Sequence, residues 1–145
     1  MQPKWCYPMN DLIRKVEAGI QKQTFAKLLN LKCEEAAEGR VVISCEKRDD
    51  LLQQTDLIHG GVTGALCEAA AGYAALTVLP EGQSVIGVEY KINLLRAITE
   101  DKAIAVAKVL KRSQRLMVVE VEAFNAGSNK IAAKMIFSGI PMEEG

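Results

Sequence analysis

The sequence predicts an α+β domain, an antiparallel sheet packed against one long central helix. Three observations lead there. The run "GGVTGALCEAAAGYAALTVL", from Gly60 to Leu79, is apolar over a helical length and is closed by "PEGQ". Two strand-like segments precede it, and four more follow at hairpin spacing, which favours antiparallel pairing with the helix on one face. The chain has 145 residues and no repeats, low-complexity tracts or linkers, so residues 1–145 read as a single domain.

In "YPMNDLIRKVEAGIQKQTFAKLLN", Leu12, Ile13, Val16 and Ile20 recur at helical spacing. Asn10 or Asp11 is the expected cap, and Gly19 is the expected point at which the helix divides. "LKCEEAAEGRVVISCEKR" reads as a hairpin turning at Glu38-Gly39. A polar connection, "RDDLLQQTD", leads into the central helix. The four later strands are "SVIGVEYKINLLRAI", "DKAIAVAKVLKRS", "RLMVVEVEAFN" and "KIAAKMIFSGI". In the second of these Ile104, Val106 and Val109 mark the alternation, and in the third Met117, Val119 and Val121 do.

Bulk properties narrow the function. A net charge of zero argues against nucleic acid as the main partner, because phosphate binding needs an excess of Lys and Arg. The central run approaches a bilayer span in length. Its Gly/Ala composition, its central carboxylate and its lack of flanking Lys or Arg argue against one, so no membrane partner is expected. The N-terminus has no apolar core of a signal peptide. The four cysteines form no C-x-x-C pair, and the chain has a single histidine. Reduced thiols in a cytoplasmic protein are expected, with no metal site.

The central helix carries one charge. On a helical wheel Glu68 shares its face with Gly61, Gly64, Ala65, Ala71, Gly72 and Ala75, while Val62, Leu66, Ala69, Tyr73 and Leu76 lie opposite. The bulky side is expected against the sheet. The small side is expected to admit a helix, a second subunit or a ligand. Glu68 is either a structural carboxylate reaching a backbone donor or a lysine, or a base or nucleophile with a raised pKa. At the helix N-terminus, Gly60 and Gly61 either make a tight turn or offer backbone N–H groups to an acyl oxygen. Gly60 and Glu68 are eight residues apart, roughly 12 Å along the axis. One reaction using both therefore needs two copies of the helix, antiparallel across a two-fold axis.

At these residues the chain resembles the hotdog-fold acyl-CoA thioesterases, in the phenylacetate-degradation (PaaI-like) branch that includes one lineage of 4-hydroxybenzoyl-CoA thioesterase. The resemblance rests on Gln53, "HGG" at His59 to Gly61, Glu68 nine residues after the histidine, and the long strand with Asn93 and Arg96. It covers about Asn10 to Ile140. It implies a hotdog sheet wrapped around the central helix and hydrolysis of an acyl-CoA thioester to acid and thiol. In that implied site the Gly60 N–H polarises the thioester carbonyl, and Glu68 of the partner subunit acts as nucleophile or general base. Gln53 positions thioester or water, and His59 supports the geometry. Gly61 and Asn93 contact substrate, while Lys111, Arg112 and Arg115 meet the CoA nucleotide. Coenzyme A is then part of the substrate, with no separate cofactor. The implied assembly is a homodimer or a dimer of dimers.

The chain departs from the family pattern in two places. Gly72 stands where many relatives carry a Ser or Thr, with Thr63 or Tyr73 as candidate replacements, and Leu94 stands where some carry a polar group. A non-catalytic acyl-CoA-binding module is the alternative reading. A hydratase of the same fold fits "HGG" less well.

Overall fold

The computed structural model describes residues 9–145. Cys6, the expected helix start at Tyr7 and the segment assessed for a signal peptide lie outside the described residues. Helix α1 spans Met9–Lys22 and a short α2 spans Thr24–Leu28. Strands β1 (Lys32–Ala37) and β2 (Arg40–Glu46) form the hairpin, and a 3-10 turn at Asp49–Leu51 precedes α3 (Gly60–Leu76). Four strands follow: β3 (Gln83–Leu94), β4 (Lys102–Arg112), β5 (Met117–Asn125) and β6 (Ile131–Glu143). All pairings are antiparallel, in the order β1-β2-β4-β5-β6-β3. This is the hotdog fold, a six-stranded sheet curled around α3. β3 does not form a hairpin with β4. It crosses to the far side of β6 and becomes one edge of the sheet.

Local chemistry explains most boundaries. The β1–β2 turn falls at Glu38-Gly39, where Gly39 takes a positive φ of 74° that a side chain would resist. α1 runs unbroken through Gly19, and the division comes at Gln23, which caps α2 in an extended conformation. Gly19 instead provides clearance, since a Cβ there would stand 3.3 Å from the Tyr73 ring. Asn10 and Asp11 lie inside the first turn of α1 rather than before it, and Asp11 pairs with Arg14 at 3.4 Å. α3 ends at Leu76, short of Leu79. The Thr77 hydroxyl donates to Ala74 O at 2.7 Å and accepts from the Gly39 N–H at 2.8 Å, tying the helix end to the hairpin tip.

The core lies between α3 and the concave sheet face, with Leu12, Val16 and Ile20 of α1 sealing the β1 side. Packing alters two expectations. On α3 Leu66 and Tyr73 of the bulky side are buried as expected, but Cys67, Ala70, Ala71 and Ala74 are buried with them, while Val62, Ala69 and Leu76 stay partly exposed. On β4 the fully buried positions are Ala103, Ala105 and Ala107, and Ile104 and Val106 face outward. Both follow from close approach: a helix lying low on a sheet needs small residues on both surfaces. On β5 the expected Met117, Val119 and Val121 do point inward. Outside, Lys134 sits between Glu120 and Glu122 of the neighbouring strand. Among the described residues, no helix is long and apolar enough to cross a membrane.

Candidate active site

The tip of α3 is built by its own cap. His59 is the N-cap, and its Nδ1 accepts the Gly61 N–H at 2.8 Å. Its backbone oxygen takes the N–H groups of Val62 and Thr63 at 2.9 and 3.2 Å. The Gly60 N–H is left with no acceptor among the described residues, pointing out of a helix end whose dipole favours negative charge. The expected support role of His59 thus has a concrete form: with Nδ1 accepting, the imidazole orients the turn. Leu94, at the end of β3, rests on this tip. A Cβ on Gly60 would come within 2.6 Å of Leu94 Cδ1, and one on Gly61 within 3.0 Å of His59 Nδ1.

Gln53 lies exposed in the loop that feeds the tip. Its N–H donates to Leu57 O at 2.9 Å, Leu52 bridges to Ile58, and the His59 N–H donates to Leu51 O at 2.9 Å. Gln53, His59, Gly60 and Gly61 are therefore gathered at one end of α3.

Glu68 is elsewhere, two turns along the helix. It is half-buried and makes no hydrogen bond or ion pair among the described residues, and burial raises its pKa above the usual carboxylate value. It opens into a cleft of about 810 Å³ bounded by α1, α3 and β3. Gly87 and Phe137 form the wall beside it, and Glu68 Oε1 lies 3.4 Å from where a Gly87 side chain would begin. A lone glycine in a strand pattern signals such close approach, so Gly87 was within reach of sequence reasoning. Gln23, also on the cleft wall, carried no such signal. Of the two candidate hydroxyls, Thr63 is buried against the core side of the helix, and Tyr73 lines the cleft with its hydroxyl turned to Gln23.

The remaining expected residues do not join either group within one chain. Asn93 is exposed on β3, opposite Lys134 and therefore on the outer face of the sheet. Lys111, Arg112 and Arg115 are exposed at the β4–β5 turn. Arg112 shares a shallow cleft with Leu79 and Pro80, at the end of α3 away from Gly60.

The family comparison agrees with the fold. The Thioesterase superfamily profile matches residues 56–132, from the loop before α3 into β6. A Saccharolobus solfataricus protein named "Putative esterase SSO2140" is 30% identical over 132 residues, covering 90% of this chain and 92% of its own. Among solved structures, a thioesterase family protein from Silicibacter pomeroyi superposes with a TM-score of 0.84 at 25% identity, covering 91% of this chain and 98% of its own. The E. coli PaaI protein does so at 0.80 and 21%, covering 92% and 97%, which speaks to the fold alone. The profile spans the capped tip and the buried glutamate together, and the relatives' names support hydrolysis of an ester or thioester bond. This chain belongs to the thioesterase superfamily.

Proposed function

We propose that the protein is a cytoplasmic acyl-CoA thioesterase of the PaaI-like branch, working as a homodimer whose sites each draw on both subunits. The observation that carries this is the separation of the two groups the chemistry needs. A vacant amide at Gly60 and an unpartnered, half-buried Glu68 sit two turns apart on one helix, roughly 12 Å along its axis. Two antiparallel helices bring each glutamate to the other's tip. The long exposed edge β3, which carries Leu94 to that tip, is the natural strand for the two-fold pairing. The same two-fold turns the Lys111, Arg112 and Arg115 end of one helix toward the other's Gly60, where a CoA nucleotide would leave the site.

In this reading the thioester carbonyl oxygen accepts the Gly60 N–H, which stabilises the oxyanion as carbonyl addition proceeds. The Glu68 carboxylate of the partner subunit either adds to the carbonyl carbon, so that breaking the C–S bond expels the CoA thiolate and leaves an anhydride that water then opens, or takes a proton from an attacking water, whose tetrahedral adduct then breaks the C–S bond. In both routes coenzyme A leaves as the thiol once its sulfur is protonated. Gln53 stands beside the tip to hold water or thioester, and Gly61 keeps the approach open.

The test is thiol release from a panel of aromatic, short-chain and long-chain acyl-CoAs. Glu68→Gln is expected to lower kcat by about 10³-fold with the oligomer intact. Undiminished turnover in that variant would remove Glu68 from the mechanism. Tight acyl-CoA binding without any turnover in the parent would leave a binding module.

A further inference from the structure

We infer that Gln23 and Tyr73, paired across the α1–α3 groove beside Glu68, are specificity residues that select acyl groups carrying an uncharged hydrogen-bonding substituent away from the thioester. This rests on the acyl-CoA thioesterase reading and adds to it the chemistry of the acyl group.

Four observations support it. At about 810 Å³ the cleft is far larger than a two-carbon acyl group needs, and falls in the range of sites for drug-sized ligands. Its floor is open along α3, because Gly72 lines it and a Cβ there would meet nothing within 4 Å. Across from Gly72, the Tyr73 ring is drawn against Gly19, and its hydroxyl donates to Gln23 Oε1 at 3.0 Å. The Gln23 side chain is not spent on capping α2. Its two amide hydrogens have no acceptor among the described residues, and the tyrosine oxygen keeps its lone pairs.

The pair thus offers donors and an acceptor within one cleft with Glu68, and it stays neutral. Burial, with the Glu68 charge adding, pushes the Tyr73 hydroxyl up to about 12. A plain alkyl chain laid in the groove would strip water from the Gln23 amide and return no hydrogen bond. A chain bearing a hydroxyl or carbonyl at the right depth would replace that water. Of the other charged lining groups, Lys15 reaches Leu79 O beyond the end of α3 and feels Glu81 and Glu144 there, while Lys22 lines the cleft next to Gln23 in sequence. Had the Gln23–Tyr73 contact served only to tie α1 to α3, its loss would weaken all ligands alike.

The experiment measures binding rather than turnover. The probes are coenzyme A analogues with a methylene between sulfur and the acyl carbonyl, carrying chains of four, six and eight carbons with and without a terminal hydroxyl. Calorimetry on the full chain is expected to show the hydroxylated form of at least one length binding roughly five- to tenfold more tightly than its plain counterpart. Gln23→Ala and Tyr73→Phe each abolish that ratio while leaving the plain analogue's Kd within about twofold. Gly72→Val, whose new atoms meet none of the chain's own at Cβ, weakens both analogues. A parent with no preference at any length, equal weakening of both analogues by Gln23→Ala, or indifference to Gly72→Val would each overturn the proposal. Thiol release, measured in parallel, separates the two readings. Hydrolysis without selective binding sinks the Gln23–Tyr73 assignment alone, and selective binding without hydrolysis sinks the thioesterase alone.

Discussion

The two edges of the sheet are finished in opposite ways. β1 is short, carries a bulge between Cys33 and Glu35, and is decorated with ion pairs, Lys32 to Glu46 and Arg40 to Glu35 among them. Lys102 reaches Glu34 from two strands away, and α1 packs along the same side. These are the devices by which an edge avoids recruiting another strand. Among the described residues β3 makes no ion pair. It is 12 residues long and exposes Ile86, Val88, Tyr90 and Leu94, each about half or more accessible. Its one bulge, between Gly87 and Glu89, lies beside the wall of the Glu68 cleft. One edge is shielded within the chain, and the other lies open, as the proposed two-fold pairing requires.

The largest effect should come from spoiling the open edge. Ile86→Lys with Val88→Lys places charge along β3 and is expected to yield monomers by analytical ultracentrifugation. Thiol release should fall by about 10³-fold, because each site loses its second contributor. A lysine at Ala37, on the closed edge, should leave both properties near those of the parent. Monomers that still hydrolyse thioesters would erase the distinction between the edges.

A mixing experiment sharpens it. Glu68→Gln removes the carboxylate, and Gly60→Pro, with Leu94→Ala to clear the ring, removes the amide from a position where helices accept proline. Each variant alone should be inactive. Dissociated and reassociated at equal amounts, half the dimers are mixed, and each mixed dimer holds one intact site. About a quarter of parental activity is therefore expected. Zero recovery would mean that one chain supplies both groups.

The pH profile gives a smaller effect with a definite sign. Burial raises the Glu68 pKa, and the working form is the carboxylate, so kcat should rise about tenfold per pH unit below that pKa. The acid limb should lie above that of an ordinary glutamate. Stability moves the other way. A carboxyl with a raised folded-state pKa contributes stability that is fully present below the unfolded pKa and is lost as pH rises through the folded one. Glu68→Gln should accordingly raise Tm at pH 8 and leave it unchanged at pH 4, read by calorimetry. The smallest change is at the cap: His59→Ala should cost about 1 kcal/mol in denaturant unfolding, the usual value of an N-cap.

Much of the architecture was readable because it follows from short-range rules. The Glu38-Gly39 turn, the inward Met117, Val119 and Val121, and the capped start of α3 at Gly60 are each settled by residues within a few positions. What failed depended on distance. Ile104 and Val106 looked like core, yet the alanines between them are buried, because α3 approaches too closely for branched residues. Nothing local told β3 to leave β4 and pair with β6. The candidate site divides similarly. Gln53, His59, Gly60 and Gly61 were expected together and are found at one helix tip, while Gln23 joins the Glu68 cleft only because α1 lies across α3. Asn93 and the basic turn residues stand apart from both groups in a single chain.

The alanine floor of β4 limits how such a protein can diversify. With Ala103, Ala105 and Ala107 already touching α3, the seam beneath that helix has no side-chain volume left to trade. Any descendant that reshapes the cleft must therefore do so from above, by changing how α1 rides over α3 where Gly19 meets Tyr73, or by filling the open space at Gly72.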